Sequence, residues 1–142
     1  MRITSAFVLS LLIVLLVGCK KDEQTSSPQD QFVDRLTLGS GMSGFEITGE
    51  TTSFARLGSS VTIFWKLESS VDMAGSAVRI RFDRVTGGIA APYDSSTYTN
   101  PQSYGHIMLS ACVFGGTTGT YRAVGVLQSS GRVVASKDFD VH

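Results

Sequence analysis

The sequence predicts an all-β fold, an antiparallel β-sandwich of seven to eight short strands spanning residues 32–142. Three observations lead there. From Phe32 onward apolar residues recur with a period of two, and no apolar stripe keeps helical spacing over three turns. Glycine is abundant at 15 residues while proline occurs only three times. Period-two alternation sends successive side chains to opposite faces of a strand, and frequent turn residues cut the chain into short strands.

The elements follow in chain order. Phe45 and Ile47 alternate with polar neighbours. Val61, Ile63, Trp65 and Leu67 share one strand face, opposite Thr62 and Lys66. Val78, Ile80 and Phe82 face one way while Arg79, Arg81 and Asp83 face the other. Ile107, Leu109, Ala111 and Val113 make a further set, as do Tyr121, Ala123, Gly125 and Leu127. Val133, Ala135, Phe139 and Val141 form the last. Ser129-Ser130-Gly131 separates the final two sets as a hairpin turn. Trp65, the single tryptophan, shares its parity with three aliphatic residues and is therefore a core residue.

Two stretches narrow the type of sandwich. Gly58-Ser59-Ser60-Val61-Thr62-Ile63-Phe64-Trp65 resembles strand B of immunoglobulin domains, with Trp65 where the first disulfide cysteine would stand. Gly119-Thr120-Tyr121-Arg122-Ala123 resembles the start of strand F, with Ala123 in the second cysteine's place. The resemblance implies an immunoglobulin-like sandwich without the disulfide. It also implies that Tyr121 is the tyrosine-corner residue, its hydroxyl bonding back to nearby backbone. A large Trp65 facing a small Ala123 would then fill the volume the disulfide leaves.

The first eighteen residues carry a different message. Met1 and Arg2 give a short positive start, and Ala6 to Val17 carry no charge. As a helix that run would span about 18 Å, short of a ~30 Å hydrocarbon core, which fits a signal peptide better than a membrane span. Leu16-Val17-Gly18-Cys19 resembles the bacterial lipobox. The resemblance implies cleavage before Cys19 and acylation (diacylglyceryl and palmitate-type chains) of that cysteine, hence attachment to the membrane. Two or more chains meet the requirement for stable anchoring. Residues 19–31 contain no large apolar residue, so they read as a flexible tether. Lys20 is not the aspartate that resembles an inner-membrane retention signal, which favours the outer membrane. Lys20-Lys21-Asp22-Glu23 also resembles the export signal of surface lipoproteins, although a solvated tether has the same composition.

Charge narrows the partners. Lys plus Arg equals Asp plus Glu at 12 each, so no basic field attracts nucleic acid. Cleavage before Cys19 removes a single charged side chain, Arg2, and leaves the balance near neutral. The expected partners are the membrane, through the lipid on Cys19, and other envelope proteins or glycans.

The sequence offers little chemistry. No nucleophile elbow, zinc-type histidine pair or phosphate-binding glycine loop occurs, so no enzyme, cofactor or metal is expected. Cys112 stands in an apolar strand and reads as a small buried hydrophobe, since a lipidated Cys19 leaves it no disulfide partner. His106 and His142 are the two histidines. Asp138, Asp140 and His142 alternate along the last strand and read as a solvated face. The segment Ile89 to Tyr104 is the most open to a binding role. It sets Tyr93, Tyr98 and Tyr104 among Ser, Thr and Asn, the side-chain chemistry of recognition loops, and the same rings could stack on sugars. The alternative is an irregular edge strand whose tyrosines cover the end of the sandwich.

Overall fold

The computed structural model describes residues 32–142; Cys19 and the segments expected to be a signal peptide and a tether through residue 31 lie outside the described residues. The described residues form nine strands. They are β1 (Arg35–Ser43), β2 (Glu46–Glu50), β3 (Ser53–Phe54), β4 (Val61–Glu68), β5 (Ala77–Thr86), β6 (Ile89–Thr99), β7 (Ile107–Phe114), β8 (Gly119–Leu127) and β9 (Arg132–Val141). One sheet has the order β2-β1-β4-β7 and the other β3-β9-β8-β5-β6. The protein is an all-β sandwich, and β1, β4 and β7 against β9, β8 and β5 follow the strand order of an immunoglobulin-like fold.

Two corrections concern the strand count and direction. There are nine strands rather than seven or eight, because β1 and the two-residue β3 carry too short an alternation to register in the sequence. The sandwich is also not wholly antiparallel, since β3 runs parallel to β9 through Ser53↔Asp140 and Phe54↔Val141.

The core forms where the alternation places it on β4, β5 and β8. Ile63, Trp65, Leu67, Val78, Ile80, Tyr121 and Ala123 are all fully buried between the sheets. Trp65 and Ala123 enter that core from opposite sheets. The Tyr121 hydroxyl donates to the Thr117 carbonyl at 2.8 Å, closing the expected tyrosine corner. Gly125 sets the approach of the sheets: a Cβ there would lie 2.6 Å and 2.9 Å from the two Leu67 methyl carbons.

Three sequence sets change. Phe45 lies in the turn between β1 and β2 rather than in a strand. On β9 a register shift opposite Gly125/Val126 leaves Val134 unpaired, so Val134 turns inward and Val133 is exposed. On β7 the parity is the reverse of the expected one. Met108 and Phe114 are buried, while Ile107, Leu109, Ala111 and Val113 occupy the outer face, with Val113 71% exposed.

The β1–β2 hairpin folds back over the outer face of its own sheet. Lys66 points outward from β4 yet is 5% exposed, because Glu46 of β2 reaches its ammonium at 3.1 Å. Phe45 at the hairpin tip meets Tyr104 edge-on, with ring centroids 5.0 Å apart. Gly39 permits the fold: a Cβ there would collide with the Ile47 side chain.

Candidate binding edge

The three tyrosines do not form one platform. Tyr98 is half-buried and packs edge-on against Trp65, while its hydroxyl donates to the Ala111 carbonyl at 3.4 Å. Tyr93 stands where the β5–β6 register slips, with Phe82↔Asp94 followed by Asp83↔Pro92. That slip lets its ring pack against Phe114 and Tyr121, and its hydroxyl reaches the Gly115 carbonyl at 3.4 Å. Tyr104 lies outside the strand, against Phe45. The segment from Ile89 is thus an edge strand, and two of its tyrosines reach across to backbone carbonyls of β7 and the turn after it.

Those contacts draw attention to β7, the end strand of its sheet. Its register with β4 runs unbroken from Val61↔Phe114 to Glu68↔Ile107. Antiparallel pairs alternate between those that exchange backbone hydrogen bonds and those that do not. Ser69 N–H donates to the His106 carbonyl at 3.0 Å, which fixes the phase. Met108, Ser110, Cys112 and Phe114 therefore bond to β4, whereas Leu109, Ala111 and Val113 turn N–H and C=O to the open side. Tyr98 bonding the Ala111 carbonyl and Ile107 N–H bonding the Tyr104 carbonyl both agree with that phase.

The four sheet edges among the described residues differ sharply. β2 is five residues long, carries glutamate at each end and folds over its own sheet. β3 has two residues. β6 carries Pro92, Asp94 and the register slip. Such devices are how sandwiches prevent edge-to-edge pairing. β7 has none of them. Its eight residues, Ile107 to Phe114, include no charge and no proline.

Cys112 sits on the inner side of this strand. Burial, with the Asp94 charge adding to it, pushes its thiol up to about 12, and the thiol points to the Ile63 carbonyl at 3.7 Å. A thiol so far from its thiolate is a packing group rather than a nucleophile.

The remaining polar candidates are each engaged locally. Arg122 holds Asp138 at 2.6 Å, and that bond and charge keep the Asp138 carboxyl below its ordinary value. Thr120 donates to Asp140 at 2.6 Å, and His142 meets Ser53 at 3.4 Å. His106 Nδ1 stands 2.9 Å from the Ser69 carbonyl, and its ring stacks on Phe32 with centroids 4.7 Å apart. Among the described residues no group of three or more His, Cys, Asp or Glu side chains is arranged to hold a metal. Cys19 lies outside the described residues.

The entry of the chain is well fixed. The Asp34 carboxylate accepts from the Ser70 N–H at 2.8 Å, from the Ser70 hydroxyl at 3.0 Å and from Arg132 at 2.5 Å. With Phe32 on His106, these bonds set the N-terminal segment at the end of the sandwich where β7 begins. No protein-family model matches the chain, and no curated protein matches it in sequence.

Proposed function

We propose that the chain is a lipoprotein of the bacterial cell envelope, anchored at the outer membrane through Cys19, whose sandwich is a non-catalytic binding or assembly module. The observation that carries the module reading is the contrast between three blunted strand edges and one open one at β7. The anchor rests on Leu16-Val17-Gly18-Cys19 after an uncharged apolar run. With two or more acyl chains on Cys19, a domain on a tether of about twelve residues stays within some tens of ångströms of the bilayer. The partners of this reading are other envelope proteins.

The anchor is tested by growing cells expressing the chain, or its Cys19→Ser variant, with labelled palmitate. The wild-type chain is expected to take up label and fractionate with the outer membrane, and the variant to remain unlabelled and uncleaved at Gly18. Equal labelling and fractionation of the two would remove the anchor from the account.

A second reading keeps a glycan as the partner. Tyr93 lines an open cleft of about 520 Å³, together with Arg79, Arg81, Pro92, Asp94 and Ser95. One ring beside a polar cleft suits a single sugar residue. Retention on immobilised glycans that disappears in Tyr93→Ala would favour it over the first.

A further inference from the structure

We propose that the β7 edge accepts an extended, uncharged strand of a partner protein, which joins the β2-β1-β4-β7 sheet as its fifth strand and runs antiparallel to β7. The inference rests on the binding-module reading and names the surface and chemistry of that binding.

The open groups specify the occupant. Leu109, Ala111 and Val113 each offer an N–H, and among the described residues two of the three carbonyls beside them accept no side-chain bond. A row of donors and acceptors at strand spacing is matched by another strand and by little else. The third carbonyl, that of Ala111, holds only the Tyr98 hydroxyl, and at 3.4 Å that bond is long enough to be displaced. Antiparallel pairing continues the mode of every pair in this sheet and is the slightly more stable mode per residue.

Side chains set the partner's pattern. On the outer face, Ile107, Leu109, Ala111 and Val113 form an aliphatic row, with Val113 largely bare. A partner strand places every second residue beside that row, and aliphatic residues pair best there. On the inner side the incoming strand meets the edge of β6, where Asp94, Ser96 and Tyr98 share the face of Phe82, Ile80 and Val78. Small hydroxyl residues fit that side. The favoured partner thus alternates aliphatic and Ser or Thr, with no charge and no proline. In an antiparallel pair the residues that exchange hydrogen bonds with Leu109, Ala111 and Val113 share their face, so the partner's aliphatic residues supply the bonding amides.

The test uses the full lipidated chain in detergent micelles and an uncharged octapeptide of alternating valine and threonine, carried on a polyethylene glycol tail. Amide exchange is read residue by residue. At a peptide concentration about ten times its dissociation constant, exchange at Leu109, Ala111 and Val113 should slow about tenfold. Methylating the valine amides should abolish this protection, and methylating the threonine amides should leave it. Ala111→Pro should remove the protection at Leu109 and Val113, because a proline is tolerated where the N–H faces outward. Val113→Lys, at a bare position, should weaken binding about fivefold without touching the fold. Absence of protection at the three amides would overturn the proposal. So would equal protection by both methylated peptides, or loss only with methylated threonine. The palmitate experiment is independent, so failure of the anchor and failure of the strand site are read separately.

Discussion

Tyr98 lies edge-on to Trp65, ring centroids 5.2 Å apart and planes at 65°, while its hydroxyl touches the Ala111 carbonyl at the open rim of the sandwich. One side chain thereby joins a fully buried ring of the core to the backbone of β7. Its two ends are separable. Tyr98→Phe removes a long hydrogen bond and should change stability by under about 0.5 kcal/mol. Tyr98→Ala uncovers the Trp65 ring and should cost roughly 2 kcal/mol. Trp65 is the single tryptophan, so its emission should shift to longer wavelength in Tyr98→Ala and stay put in Tyr98→Phe.

Gly125 keeps the sheets at their spacing. Leu67 is fully buried and has nowhere to swing, so the methyl of Gly125→Ala forces its branch carbons or the sheet to move. Overpacking of this kind should cost about 1–3 kcal/mol in urea unfolding. An unchanged midpoint would mean that the sheets slide freely at this point.

Cys112 should be nearly inert in the folded protein. Raising its thiol from 9.0 to about 12 lowers the thiolate fraction at pH 8 about a thousand-fold. In a Cys19→Ser background, alkylation by iodoacetamide should therefore be slow in buffer and fast in urea. Equal rates in the two would show that the β6–β7 rim opens readily.

Acid should weaken the domain through Asp34. Burial alone pushes its carboxyl up, but the hydrogen bonds from the Ser70 N–H and hydroxyl and from Arg132 outweigh that and hold it below 3.8. Asp138, held by Arg122, lies below its ordinary value as well. A depressed carboxyl means that the unfolded chain binds more protons in this range. The contribution is thus complete above about pH 5, declines as the unfolded carboxyls begin to protonate, and is lost as the pH falls through the folded values. Urea midpoints measured downward from pH 5 should fall, and Asp34→Asn should fall less steeply than the wild type.

Much of this architecture is legible in the amino-acid sequence. The alternation of Val61 to Leu67 and of Val78 to Phe82 needs no partner to interpret, because one parity is wholly aliphatic or aromatic while the other carries Thr62, Lys66, Arg79 and Arg81, with Phe64 the one apolar exception. Tyr121 stands out by its setting in Gly119 to Ala123. β7 defeats the same logic, since both of its parities are apolar and the aliphatic one faces outward. Val134 is hidden by a register slip that only the partner strand reveals. β6 gives no alternation because an edge strand has little to bury. Above all, a sequence does not say which strand ends a sheet, so the open backbone of β7 is beyond its reach. Tyr93 and Tyr98 carry no sign of their contacts in the sequence either: they reach across to the turn after β7 and to β7 itself, while Tyr104 packs on Phe45, so the three do not form a loop surface.

The most direct measurement is amide exchange of the chain alone, read along β7. If the edge is open, Leu109, Ala111 and Val113 exchange quickly while Met108, Ser110 and Cys112, bonded to β4, are protected. An alternating pattern is the expected result. Uniform protection along the strand would mean that β7 is already covered, and the binding edge would have to be abandoned.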